Sequence, residues 1–276
     1  MNSSMIKALN SMNSYQMKLD TIADNVANSN TVGYKKKSTV FEDLLTNTKN
    51  QPEAFGLDGR RAPLGLNQGW GSRVAGISTD FSQGTFNETG VLTDLAIEGN
   101  ALFEVQVDEG TTAYTRDGSF QISINAAGEP VLTTSQGYPV MATLPDGSQG
   151  RIVIPDGYSM QVLSNGSVNA VNELGDSIAL GQIRLVEAVR PDALIQAADN
   201  LFTVAPGAVA AQAVVQIQPD ANNRLAIHQG YVEQSNVDLS TEMTDMIKVQ
   251  RAYQLAARAL SSSDTMMQLA NNLRSS

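Results

Sequence analysis

Two helical hydrophobic patterns stand at opposite ends of this chain, and the long stretch between them follows a different period. From Met5 to Val26 the residues Met5, Leu9, Met12, Gln16, Leu19, Ala23 and Val26 succeed one another in steps of four and three, a heptad seam with one polar position. The pattern predicts an amphipathic helix that stops near Asn28 to Gly33, where Asn, Ser, Thr and Gly cluster. From Leu239 onward, Met243, Met246, Gln250, Tyr253, Ala257, Leu260 and Met267 trace one stripe, and Val249, Ala252, Ala256, Ala259, Met266, Ala270 and Leu273 trace a second. A helix of about 35 residues, roughly 50 Å long, is predicted there with two apolar faces. Asp238 or Ser240 can cap it, and Glu242 and Asp245 fall in the early turns where the helix dipole favours anions.

Between these ends the period falls to two. Glu109-Gly110, Asp117-Gly118, Ala127-Gly128, Gln136-Gly137, Asp146-Gly147, Asp156-Gly157, Asn165-Gly166 and Leu174-Gly175 recur about every eight to eleven residues, separated by runs such as 101–107, 120–124, 152–154 and 182–189. Regular turns between short apolar runs predict an antiparallel β domain. The fold class is therefore α+β, an all-β centre flanked by N- and C-terminal helices. The predicted divisions are an N-terminal helix within 1–40, an extended connector over 41–80, a mainly β domain over 81–230 and a C-terminal helix within 231–276. The connector rests on 46–76, rich in Gly, Pro, Asn and Gln and without clear periodicity.

Composition removes several function classes. The 276 residues carry a formal charge of −10, with 16 acids against four Arg over 80–200, so a nucleic-acid binder is excluded by counterion-release arguments. The chain has no Cys and a single His, which removes disulfides, thiolate metal sites, cysteine nucleophiles and His-rich zinc sites. No apolar run approaches the length of a membrane span, and the opening residues lack the continuous apolar core of a secretory signal.

The remaining chemical candidates have simpler readings. His228 lies in an alternating run with no carboxylate or nucleophile close in sequence, as an ordinary strand-end histidine does. Asp108 and Glu109 precede Gly110 as turn residues. Gly69, Gly71 and Gly76 around Trp70 lack the strand-turn-helix setting of a phosphate loop. Lys35, Lys36 and Lys37 read as a solvated cluster complementing a helix C-terminus. Met5, Met12, Met243, Met246 and Met267 read as adaptable packing on helical seams. No catalytic residue, metal ligand, cofactor or small-molecule substrate is predicted.

A helix such as 5–26 is marginal alone and needs a partner. The C-terminal helix supplies one stripe for it and a second for a neighbouring copy. The predicted assembly seam is Met5, Leu9, Met12, Leu19, Ala23 and Val26 with Leu239, Met243, Met246, Gln250, Tyr253 and Leu260; packing of the two helices inside one monomer fits the periodicity equally well.

The string DTIADNVANSNTVGYK at 20–35 resembles the N-terminal signature of the bacterial flagellar rod and hook family, with Asn25, Ala27, Asn28, Thr31, Gly33, Tyr34 and Lys35 among the matching positions and Asp24 where Asn is more usual. QGYVEQSNVDLSTEMTDMIKVQRAYQ at 229–254 is similar to its C-terminal signature through Glu233, Ser235, Asn236, Val237, Asp238, Gln250, Arg251 and Tyr253. VFEDLL at 40–45, SQGTFNETG at 82–90, LAIEGNALFEV at 95–105 and YTRDGSF at 114–120 look like the distal-rod branch and its Gram-positive rod paralogues. The resemblance weakens over about 140–210.

The resemblance implies a subunit that leaves the cytosol unfolded through the flagellar export apparatus, without a cleaved signal peptide. It implies assembly outside the cytoplasmic membrane into a helical polymer in the basal body. Its terminal helices would pair there as a coiled coil in a torque-transmitting tube, with other rod and hook subunits, and ring proteins or the cell wall, as neighbours. Export substrates of this kind resemble one another in a Phe-x-x-x-hydrophobic element, which Phe41 and Leu45 fit; packing residues fit that spacing too. A hook-type axial subunit and a β-rich cell-wall or carbohydrate-binding module are the alternatives. A cell-wall hydrolase would need carboxylates brought together by the fold at glycosidase separations.

Overall fold

The computed structural model describes residues 2–44, 47–49, 66–68, 70–108, 110–125, 128–197, 200–207, 209–219 and 225–275. Among them are helices α1 (Asn2–Ala27), α2 (Ala210–Ala213) and α3 (Leu239–Ser275) and a β-rich centre, so the class is α+β. The chain forms two compact units, one from Met1–Val26, Lys37–Ser78 and Leu239–Ser276, the other from Ala27–Lys36 and Thr79–Asp238.

The first unit holds the long helices. Neither α1 nor α3 contains Gly or Pro, so nothing interrupts their hydrogen-bond ladders. The unit also contains β1 (Lys37–Asp43), β2 (Asn47–Lys49), β3 (Leu66–Gln68) and β4 (Ser72–Thr79), in which β1 pairs with β4 and β2 lies antiparallel to β3. The β2–β3 ladder and most of β4 lie in the segment whose sequence lacks periodicity, whereas β1 precedes it. In β2 and β3 the three-residue runs NTK and LNQ hide the strand signal. Polar contacts hold β4 and the residues before it to α1: Asn10 Nδ2 donates to the Trp70 carbonyl at 3.1 Å, and Ser14 Oγ lies 2.7 Å from the Ser72 carbonyl. The Lys18 ammonium sits 5.6 Å from the centre of the Phe41 ring.

The second unit is built on two larger sheets. A six-stranded antiparallel sheet runs in the order β17 (Leu194–Gln196), β18 (Leu201–Val204), β8 (Thr111–Thr115), β7 (Leu102–Asp108), β16 (Leu185–Ala188), β19 (Val214–Ile217). A five-stranded sheet runs in the order β12 (Gln149–Arg151), β11 (Met141–Thr143), β15 (Ser177–Ile183), β14 (Ser167–Val171), β13 (Ser159–Val162). Three pairs complete it: β9 (Phe120–Ile124) with β10 (Pro130–Thr134), β6 (Leu95–Glu98) with β20 (Ala226–Gln229), and β5 (Phe86–Glu88) with β21 (Tyr231–Glu233). The main core is apolar and includes Leu95, Phe103, Val105, Leu132, Ile152 and Leu185. Phe103 and Phe120 meet edge to face at 5.0 Å.

The turn pattern is largely realised. Gly110, Gly128, Gly137, Gly147, Gly157, Gly166 and Gly175 have φ between 81° and 92°, the left-handed region that hairpin turns require. Gly118 differs. Its φ is not positive, and a Cβ there would lie 1.6 Å from the Leu95 carbonyl oxygen, so the need is for close backbone approach. Two predicted runs also differ. Residues 152–154 form only an isolated bridge, Val153 to Val131. The 182–189 run is divided at Arg184, where the chain leaves β15 in the five-stranded sheet for β16 in the six-stranded one. Alternation alone does not signal a change of sheet.

Candidate assembly surface

The residues of the two terminal signatures are mostly engaged inside the subunit. In the first unit, Asn25 is buried and acts as a hub. Its Nδ2 donates to the Lys37 carbonyl at 2.9 Å and to Glu242 Oε2 at 3.1 Å, and its Oδ1 accepts the Lys37 backbone N–H at 2.9 Å. Lys37 Nζ pairs with Asp24 at 2.6 Å, so the Asp that departs from the usual Asn makes an ion pair. In the second unit, Thr31 Oγ1 donates to Asn28 Oδ1 at 3.2 Å within the turn that follows α1, and Tyr34 is buried. Gly33 adopts a φ of 68°, and its N–H donates to the Glu233 carbonyl at 2.8 Å. A Cβ on Gly33 would stand 2.4 Å from the Asp117 backbone nitrogen. Asn236 joins three segments of the second unit: Oδ1 accepts the Lys36 N–H at 2.7 Å, and Nδ2 donates to the Asp80 carbonyl at 2.9 Å. The Ser235 hydroxyl accepts the Val237 N–H at 3.3 Å, just before Asp238 leads into α3.

Within the second unit lies a buried ionic triad whose pairing the sequence does not reveal. Glu233 Oε1 accepts from Lys35 Nζ and from the Gly84 N–H, both at 2.7 Å, while Oε2 pairs with Arg116 Nε. Lys35 Nζ also donates to the Ser82 carbonyl at 2.7 Å, and the Arg116 guanidinium donates to the carbonyls of Ala101 and Ile97. All three side chains are at most 3% exposed. Burial works to raise the Glu233 carboxyl, but Arg116 and Lys35 outweigh it and hold the carboxyl below the ordinary range. Burial pushes the Lys35 ammonium down despite Glu233, and Arg116 down in the same way. The expected solvated lysine cluster is thus overturned: Lys35 is buried, and Lys36 and Lys37 are half-buried. A cation placed after a helix end looks like a dipole cap until a distant carboxylate is known to meet it.

The long helices cover little of their apolar surface. On α1 the most buried side chains are Ser14, Thr21, Ile22 and Asn25. Of the predicted seam, Met5, Met12, Leu19 and Val26 are half-buried, while Leu9 and Ala23 are exposed. On α3 a covered stripe runs through Glu242, Met246, Val249, Tyr253, Ala256, Leu260, Ser263 and Met267 in steps of four and three. The sequence divides six of these eight between its two stripes, and Glu242 and Ser263 belong to neither. Leu239, Met243, Gln250 and Arg251 are exposed, as are Ile247, Leu255, Met266, Leu269 and Leu273.

Outside the helices, Phe41 is exposed beneath Lys18, while Leu45, the other half of the proposed export element, lies outside the described residues. Glu109 and Gly69 also lie outside them. His228 Nε2 meets Glu98 at 2.9 Å across the β6–β20 pair, a carboxylate invisible to local sequence, and its ring neighbours Phe86 and Tyr231. Among the described residues no helix is long and apolar enough to cross a membrane.

Three family descriptions match the chain: "Flagella basal body rod protein" over 8–35, "Flagellar hook protein FlgE/F/G D1 domain" over 96–170 and "Flagellar basal body rod FlgEFG protein C-terminal" over 228–273. The flagellar basal-body rod protein FlgG of Borreliella burgdorferi is 36% identical over 271 residues, covering 97% of each chain. FlgG of Bacillus subtilis is 34% identical over 275 residues, 98% of each, and the flagellar hook-basal body complex protein FlhP of the same organism is 30% identical over 98% of this chain and 99% of its own. With relatives aligned end to end and both signatures engaged with each other inside the fold, the chain belongs to the bacterial flagellar rod and hook family, within its basal-body rod branch.

Proposed function

We propose that this chain is a structural, non-enzymatic subunit of the flagellar basal-body rod that polymerises helically through α1 and α3. The carrying observation is the surface of those helices. Leu9 on α1, and Leu239, Met243, Ile247, Leu255, Met266, Leu269 and Leu273 on α3, are exposed in the single chain. A run of large apolar side chains along a helix of 37 residues is a surface made to be covered. In the assembled tube the helices pair as a coiled coil through the seam 5, 9, 12, 19, 23 and 26 and 239, 243, 246, 250, 253 and 260, and other rod and hook subunits continue the axis. Head-to-tail contacts of one surface with a different one generate such an open helix.

The subunit reaches the site by the flagellar export apparatus and works in the basal body, outside the cytoplasmic membrane. Stiffness comes from interdigitated side chains between helices. A hook-type subunit and a carbohydrate-binding module are not favoured, since the aligned relatives carry rod and hook-basal body names over their whole lengths. The test is localisation: basal bodies isolated from cells producing a tagged chain should carry it in the rod, and deletion should abolish motility. A tag absent from purified basal bodies, or full motility after deletion, overturns the proposal.

A further inference from the structure

The outward faces of α1 and α3 carry opposite charge. On α1 the residues Leu9, Asn13, Gln16, Asp20 and Ala23 are exposed and succeed one another in steps of four and three, so they form one stripe. Asp20 is the charged member of that stripe, and Gln16 Nε2 donates to it at 2.9 Å. The cations of α1 lie off it: Lys7 and Lys18 are half-buried, with Lys18 over Phe41. On α3 the exposed residues Arg251, Leu255, Arg258, Ser262, Met266 and Leu269 form a second stripe, again in steps of four and three, and its charged members are both arginines. The acids of α3 are engaged elsewhere: Glu242 is buried against Asn25, Asp245 pairs with Lys248, and Asp264 accepts from Gln268.

We propose that the α1 stripe of one copy packs antiparallel against the α3 stripe of a second copy, with Asp20 opposite Arg258. The inference rests on the polymer reading above and names the surfaces that meet. Charge selects the pair, since α3 against α3 would bring only cations into the contact. From Leu9 to Ala23 and from Leu255 to Leu269 the two stripes span equal lengths, about 21 Å each. With Asp20 facing Arg258, Leu9 faces Leu269, Asn13 faces Met266, Gln16 faces Ser262 and Ala23 faces Leu255, so a small side chain meets a larger one at two levels. Arg251 then reaches the C-terminal end of α1, whose last turn holds no basic residue and whose dipole favours a cation. A parallel alignment on the same ion pair puts Met266 and Leu269 beyond the end of α1 and leaves them uncovered.

Within one chain Asn25 meets Glu242, and Leu255 lies about 20 Å farther along α3, beyond disulfide reach of Ala23. The chain has no Cys, so the double variant Ala23→Cys, Leu255→Cys reports contact between copies alone. Oxidised basal bodies carrying it should yield ladders of disulfide-linked chains, while Leu9→Cys with Ile247→Cys, the pair a parallel alignment would join, stays unlinked. Asp20→Arg or Arg258→Asp alone should lower the number of assembled rods at least about tenfold, because like charges then face each other, and the two together should restore it. Wild-type chain absent from basal bodies refutes the polymer reading and this pairing with it. Rods that assemble without the 23–255 link, that form normally with either single reversal, or that are not restored by the double reversal overturn the pairing alone.

Discussion

Glu233→Gln is the sharpest perturbation of this fold. The variant keeps the side chain's size and leaves one oxygen to accept the Gly84 N–H, but it removes the charge between Lys35 and Arg116 and turns an amide N–H₂ toward one of them. Breaking a buried ion pair from one side costs about 3–5 kcal/mol, because the remaining charges stay buried and unpaired. For a domain of roughly 150–250 residues each kcal/mol moves the midpoint by about 2–4 °C, so a fall of about 6–20 °C is expected. The assay is thermal and urea unfolding of the full chain, followed by tyrosine near-ultraviolet dichroism. Glu98→Gln is the control, because Glu98 pairs with His228 at the surface and its loss should cost no more than about 1 kcal/mol. The pH dependence supplies an independent check. A carboxyl held below its ordinary range contributes fully above the unfolded-state value near 4.5 and loses that contribution as pH falls through its lower folded value. The difference between wild type and Glu233→Gln should therefore be constant from about pH 5 up to the range where Lys35, held low by burial, loses its proton, and shrink in stronger acid. Asp117 works in the opposite sense, since burial raises its carboxyl, but it is present in both proteins and cancels in the difference. A Glu233→Gln loss no larger than that of Glu98→Gln would refute the argument that this cluster holds the second unit together.

Leu19→Asp or Met246→Asp should block rod assembly while the β-rich unit stays folded, read as lost motility with unchanged near-ultraviolet dichroism of the monomer; normal motility removes those positions from the seam. Gly33→Ala combines a φ of 68° with a methyl group 2.4 Å from the Asp117 nitrogen. Left-handed backbone alone costs an L-residue about 1–2 kcal/mol, and the collision adds to it, so urea unfolding should show a loss above 2 kcal/mol. Phe41→Ala should lower the amount secreted without lowering the amount in the cytosol, and unchanged secretion dismisses the export element.

The helices and the turn system were legible because each rests on local chemistry. Steps of three and four, the absence of Gly and Pro, and Gly at seven recurring turns need only neighbouring residues to act. What stayed hidden was non-local. Lys35, Arg116 and Glu233 are separated along the chain by 81 and 117 positions, and nothing in the residues around Lys35 distinguishes a buried ion pair from a solvated cap. The same holds for His228, whose carboxylate arrives on a strand 130 residues away. Strands β2 and β3 escaped notice because they are three polar-rich residues each, and β1 and β4 because their pairing is set by a partner segment about 30 residues away. Gly118 carried the right residue for a reason other than the predicted one, a close approach to the Leu95 carbonyl.

The burial of α1 departs from the ordinary rule for an amphipathic helix, since three of the four buried side chains among its described residues are polar. Its inner face holds Ser14, Thr21 and Asn25 beside a single buried apolar side chain, Ile22, the polar three being satisfied by hydrogen bonds, while Ile6, Leu9 and Met17 face outward. On α3 Glu242 and Ser263 are buried, and Leu255, Leu269 and Leu273 are more than half exposed. Polar partners fix a side chain's direction and register without yielding much net stability, whereas apolar area gives about 25 cal/mol for every Å² removed from water and has little directional demand. The chain thus uses its directional contacts to set where the helices point and leaves the larger, non-directional driving force unspent until another surface covers them. Under the proposed assembly, such a division would let one sequence remain a separate subunit until an axial end presents the complementary face. Converting the outward stripe to polar residues should therefore abolish polymerisation while leaving monomer stability nearly unchanged, whereas Asn25→Ala should destabilise the monomer first. The reverse order of sensitivity would place the apolar stripe inside the subunit and remove the basis for assembly through it.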